Sequence, residues 1–187
     1  MDGKNQDVAD RAESFTATVK LAGINPYVDV PEQVVEALGG ETKTRVLVKV
    51  RGAGPTKPVL EKEAARLKRI GRLAPGGWFR TTLVPLRAEP MRLYLDTWMR
   101  ETAGVGVGDS VHVALKPDHE SREIPLPGRL IEMLEANPGA REAWQALAPS
   151  RQREILTYLN FLKTPEALEH NVHKTIARLL KQQDNHS

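Results

Sequence analysis

The apolar residues of this chain change their spacing near residue 120, and that change limits the fold more than any other feature. Before it they recur at every second residue, the period of a half-buried strand. Phe15, Ala17, Val19 and Leu21 do so in 14–21, Val46, Val48 and Val50 in 44–52, and Val111, Val113 and Leu115 in 105–115. Further strands are expected at 26–30, 77–86 and 91–96. Short helices are expected at 30–40, with Pro31 at its first position and Gly39 as its stop, and from residue 97, capped by Asp96. After residue 120 the apolar spacing becomes helical, in four segments punctuated by proline: 124–139, 138–150, 149–164 and 164–183. Pro149 or Ser150 is expected to cap the third and Thr164-Pro165 to open the fourth.

Short strands at this density close most simply into a small barrel, because closure removes unpaired edges. The fold class expected is therefore α+β, with an N-terminal small β-barrel over 13–120 and an all-α domain of four helices over 121–181. Residues 1–12 and 182–187 read as flexible ends.

One segment breaks the strand pattern. Over 58–73, Leu60, Ala64 and Leu67 form a narrow apolar stripe at helical spacing, with Lys62, Arg66 and Arg69 opposite. This predicts a helix near 57–73 inserted between barrel strands. It also concentrates charge: residues 57–72 carry a local +4, so the formal +3 of the whole chain leaves −1 for the remainder. Lys62, Arg66, Lys68, Arg69 and Arg72 are thus the candidates for contacts to nucleic-acid phosphates. The segment has no aromatic residue on which a base could stack, and a solvated charged face explains it equally well.

The same residues narrow the chemistry. With no cysteine there is no disulfide, no thiolate nucleophile and no cysteine zinc site. No GxSxG occurs, and the serines fall at caps, turns or ends, so neither an enzyme nor a cofactor is expected. The glycine-rich 104–109 lacks a lysine-serine pair and leads into a strand, which makes it a turn capped by Asp109. Trp78, Trp98 and Trp144 are expected as core anchors. In the last helix Leu168, Val172, Ile176 and Leu179 share the buried face, leaving Glu166, His170 and His173 opposite. Carboxylate and imidazoles on one helical face suit zinc, and they equally suit a solvated surface. Lys174, Arg178 and Lys181, with Lys163, form a basic edge fit for phosphate or an acidic partner. No apolar run approaches the roughly 20 residues of a membrane span, and the polar, acidic start resembles no signal or transit peptide. The expected compartment is the cytoplasm.

The stretches "VGVGDSVHVALKPD" and "IPLPGRLIEMLEANPGAREAWQALAPSRQREILTYLNFLK" together carry a resemblance. A Gly-Asp turn precedes a strand, a proline-led helix follows, then a segment with a buried aromatic, Trp144, and a run of the form L-x-P-S-x-x-R-E entering a helix that ends in lysine. Asp109, Leu147, Pro149, Ser150, Arg153, Glu154 and Lys163 occupy those positions. The pattern is similar to the bacterial YdeI/OmpD-associated family, also labelled bacteriocin-protection proteins, over 14–181 and most strongly over 104–163. The resemblance implies a small barrel similar to a double-split β-barrel, a class that also contains dimeric DNA-binding regulators, ahead of a helical domain. It implies a role in tolerance to toxic or stress conditions, and the missing catalytic constellation makes a non-enzymatic binding role, with a protein or small-molecule partner, the expectation. Nucleic acid bound through the inserted basic helix is the alternative. The chain departs from the pattern after Lys163: Ala167-Leu168 stand where relatives carry Thr-Arg, and Asn171 where they carry an arginine.

Overall fold

The computed structural model describes residues 11–39 and 44–184, with side chains as far as Lys181. Of the ends expected to be flexible, 1–10 and 185–187 lie outside the described residues, and the last helix runs on to Asp184. The protein is α+β, with strands N-terminal and helices C-terminal. Nine strands are described: β1 (Glu13–Thr18), β2 (Lys20–Ala22), β3 (Asn25–Asp29), β4 (Arg45–Arg51), β5 (Leu73–Ala74), β6 (Trp78–Thr82), β7 (Val84–Leu86), β8 (Glu89–Tyr94) and β9 (Ser110–Pro117). Among them lie α1 (Glu32–Ala37), α2 (Glu61–Arg69) and α3 (Thr97–Ala103), and after them α4 (Gly128–Ala136), α5 (Pro138–Ala146), α6 (Pro149–Phe161) and α7 (Pro165–Asp184). No helix among the described residues is long and apolar enough to cross a membrane.

The described strands pair antiparallel throughout, in a five-stranded sheet of order β1-β9-β4-β6-β5 and a four-stranded sheet of order β2-β3-β8-β7. Alternation over 14–21 predicts one strand, but the chain bends at Val19, which is 1% exposed, and passes from the larger sheet to the smaller. Its N–H donates to the Asp109 carbonyl (2.9 Å), and its own carbonyl accepts from Gly108 (2.8 Å). Leu83, fully buried, makes the same passage between β6 and β7, its N–H held by the Thr44 carbonyl at 2.9 Å. Strands that change sheet through a buried corner residue let two packed sheets share one core. Val46, Val48 and Val50 of β4 and Val111, Val113 and Leu115 of β9 supply the inward face, as their period demands.

Side chains satisfy a first-turn N–H group in α3 and α7. Asp96 caps α3 by accepting from the Met99 N–H at 2.9 Å, and Gly104 ends it in the left-handed region at φ 64°. The Thr164 hydroxyl accepts from the Ala167 N–H (3.1 Å) and opens α7. Two expected starts shift by one residue. Pro31 precedes α1 as its cap, and the cap of α6 is Ala148, so that Pro149 takes the first helical position, where its fixed φ is already suitable. Ser150 then lies exposed in the first turn and makes no capping bond. In α2 the expected stripe is reduced to Leu67, which is fully buried, while Leu60 precedes the helix and is 73% exposed.

The chain divides into two compact units. One takes the described residues up to Ala64 with Arg72–Ser121, and the other takes Ala65–Gly71 with the chain from Arg122 onward, so the division falls inside α2. In the second unit α7 packs against α4, α5 and α6, closing a core of Leu130, Leu134, Trp144, Leu156, Leu159 and Ile176 among others.

Candidate functional site

The basic insertion is only partly turned outward. The Arg66 guanidinium lies 5.6 Å from the centroid of the Phe161 ring, a cation–π distance. Arg72 donates to Asp96 at 2.8 Å, an ion pair that also steadies the residue capping α3. Lys62, Lys68 and Arg69 are exposed. Arg66 and Arg72 are therefore directed to intramolecular partners, and Lys62 also has an interaction within the chain.

Glu166, His170 and His173 share one exposed strip of α7 with Pro165 and Glu169. Their geometry is set by Glu169. Arg129 of α4 donates from Nε to both of its carboxylate oxygens (3.0 and 2.7 Å) and from Nη2 to Oε1 (2.9 Å). His173 Nε2 lies 2.8 Å from the same Oε1, one helical turn away. Among the described residues no three histidine or acidic side chains come together as a metal-holding group. His173 is thus engaged by a carboxylate that a fork of guanidinium donors already occupies.

Those donors, first Arg129 and then His173, hold the Glu169 carboxyl below the usual carboxylate range. The native pKa being lowered, the contribution of this contact is present above the ordinary glutamate pKa and is lost as pH falls through the native value. Replacing Arg129 by Gln is expected to move the Glu169 titration upward in an NMR pH series. A midpoint unchanged by that substitution would rule Arg129 out as the cause.

The helical unit also contains a cleft of about 390 Å³ between α6 and α7, lined by Arg151, Glu154, Tyr158, Lys174 and Arg178 among others. The Tyr158 hydroxyl donates to Asn171 Oδ1 at 3.0 Å, while Asn171 Nδ2 donates to the Ala167 carbonyl at 2.8 Å. Both side chains are thereby fixed across the two helices. Arg151 pairs with Glu154 at 2.5 Å, leaving an excess of positive charge from Lys174 and Arg178. Helical periodicity places these last two on one basic edge; that Arg151 and Tyr158 of α6 complete the cleft follows only from packing.

Most residues of the resemblance sit on or beside α6. Pro149 begins α6, Ser150 and Arg153 are exposed on it, Glu154 enters the cleft, and Lys163 is exposed just beyond it. Asp109 accepts from the Gly106 N–H at 2.8 Å and closes the turn before β9. Asn171 lines the cleft as an amide. Trp144 is buried as expected, whereas Trp78 and Trp98 are only half-buried.

Residues 123–182 match the family model described as bacteriocin-protection, YdeI or OmpD-associated. The match covers α4 to α7 almost in full and leaves the strands outside it. No curated protein matches this chain.

Proposed function

We propose, from the family match over the helical segment, that the protein is a non-catalytic binding protein of the YdeI/OmpD-associated type. Its α6–α7 cleft takes a phosphate-class anion, free or carried by a small molecule or protein partner. One observation carries this reading: Arg151, Lys174 and Arg178 gather around a fixed Tyr158–Asn171 pair, with Glu154 as the cleft's one carboxylate. Guanidinium groups and a positioned hydroxyl recognise phosphate oxygens directly. The ionisable groups displaced from their ordinary values, Lys20, Arg92, Arg129 and Glu169, are held in their charged forms chiefly by hydrogen-bonding partners. The family description supports a role in protection against a toxic agent, and a chain without cysteine suits the reducing cytoplasm.

Titration of the full chain with inorganic pyrophosphate by calorimetry tests this. A single saturable isotherm that weakens with salt is expected, with Lys174→Glu/Arg178→Glu lowering affinity at least about tenfold. Arg178→Gln, milder for the fold, lowers it in the same direction. Absence of heat, or equal affinity in these variants, would remove the cleft from the function.

A further inference from the structure

The five-stranded sheet has a second face. Strand alternation turns Arg45, Lys49 and Arg51 of β4 away from the valines that build the core, and the antiparallel register sets other strands beside them. Leu47 is opposite Lys116 of β9 and Arg80 of β6, Leu47 and Arg80 being themselves buried, and Arg51 is opposite His112. Beyond β9, β1 brings Thr16 opposite His112 and Ser14 opposite Ala114. Among the described residues that β1, β9, β4 and β6 turn to this face there is no aspartate or glutamate. Glu120, which follows β9 in the same unit, is held through its carboxylate by Arg80 and through its backbone carbonyl by Arg45. Three of these cations share β4, and Lys116 of β9 joins them only through the register.

An aromatic residue stands among them. Trp78 of β6 is half-buried, with Lys49 Nζ 4.7 Å and Lys116 Nζ 5.4 Å from its ring centroid. Base-stacking platforms that carry single strands combine these two elements, an aromatic face and cations that follow the phosphates. The inserted helix α2 has the cations without the aromatic; this sheet has both.

We propose that the outward face of the five-stranded sheet binds single-stranded nucleic acid, one base stacking on Trp78 and the phosphates lying along Arg45, Lys49, Arg51 and Lys116. A base entering over the indole replaces a cation–π contact with a stacking contact and leaves the ammonium groups beside the nucleotide's phosphates. Duplex is excluded as the preferred form because its bases are already stacked and offer no free face to an indole. The hydroxyl and imidazole donors of Thr16 and His112 extend the row for phosphate or base edges. The site is separate from the α6–α7 cleft, which has its own probe.

Fluorescence anisotropy of the full chain with a labelled oligothymidylate of about 12 nucleotides, at several salt concentrations, tests the proposal. Binding that weakens with salt is expected, together with quenching of tryptophan emission that Trp78→Phe reduces and Trp78→Ala removes. Lys49→Glu/Lys116→Glu lowers affinity at least about tenfold, and Arg51→Gln, which disturbs an exposed residue only, lowers the salt slope by about 0.7. Circular dichroism confirms that each variant is folded. No binding at low salt overturns the proposal. So does tighter binding of a duplex of equal length, equal binding of polyglutamate, or loss of binding in Lys68→Glu/Arg69→Glu with the sheet variants unaffected.

Discussion

Truncation of Trp144 to alanine is expected to lower the stability of the helical unit by about 3–5 kcal/mol, the usual cost of deleting a large buried aromatic. Trp144 is 7% exposed and belongs to the cluster that includes Leu130, Leu134, Leu156, Leu159 and Ile176. It is also one of only two buried residues of α5, the other being Ala140. A nine-residue helix has little stability of its own, so α5 depends on that indole for its place. The effect extends to α6, because Gln152 Nε2 donates to the Trp144 carbonyl at 2.8 Å. Urea unfolding of the full chain followed by far-ultraviolet circular dichroism measures the loss. Trp144→Phe, which keeps an aromatic ring in the site, is expected to cost under about 2 kcal/mol. A loss below about 1 kcal/mol for the alanine variant would show that the cluster recloses around the gap.

The second large effect is expected from Gly52→Ala, a substitution that is often harmless. Gly52 does not occupy the left-handed region, so backbone entropy alone would make alanine neutral or stabilising by a few tenths to about 1 kcal/mol. A methyl group there would, however, lie 2.6 Å from Val105 Cγ1 and 2.7 Å from the Ala103 carbonyl oxygen. The valine can rotate; the carbonyl belongs to the last residue of α3. The end of that helix is fixed by Gly104 N–H to Glu101 (3.2 Å) and Val105 N–H to Arg100 (3.0 Å). A destabilisation of about 1–3 kcal/mol is expected from overpacking, read from the midpoint of chemical unfolding. A midpoint equal to or above that of the parent chain would show that the segment after α3 moves aside.

Features governed by residues close in sequence were legible without coordinates. The alternation of β4 and β9, the caps Asp96 and Thr164, and the buried Val172, Ile176 and Leu179 of α7 all depend on neighbours within a turn or a strand. The passages between sheets at Val19 and Leu83 depend on how two sheets pack, and nothing in the alternation of 14–21 or 77–86 announces them. Charge is legible only in part for a related reason: counting along the chain finds the cations of α2 and of β4, whereas register alone brings Lys116 of β9 and Trp78 of β6 beside Lys49. Trp78 shows the same limit: a tryptophan in a strand is expected inside, but its neighbours Arg80 and Thr82 share the outward phase of β6.

The division inside α2 has a consequence for how such a protein is inherited. The helical unit is not one uninterrupted stretch of coding sequence, because Ala65–Gly71 belongs to it from within the strand-bearing half. Duplication or fusion of the segment from Arg122 onward would carry away the four C-terminal helices and leave behind Leu67, fully buried, and Arg66, which lies over Phe161. The transplanted tail would reach its new host with the ring of Phe161 uncovered. A tail moved alone would therefore lack the segment that supplies Leu67 and Arg66 to its own unit.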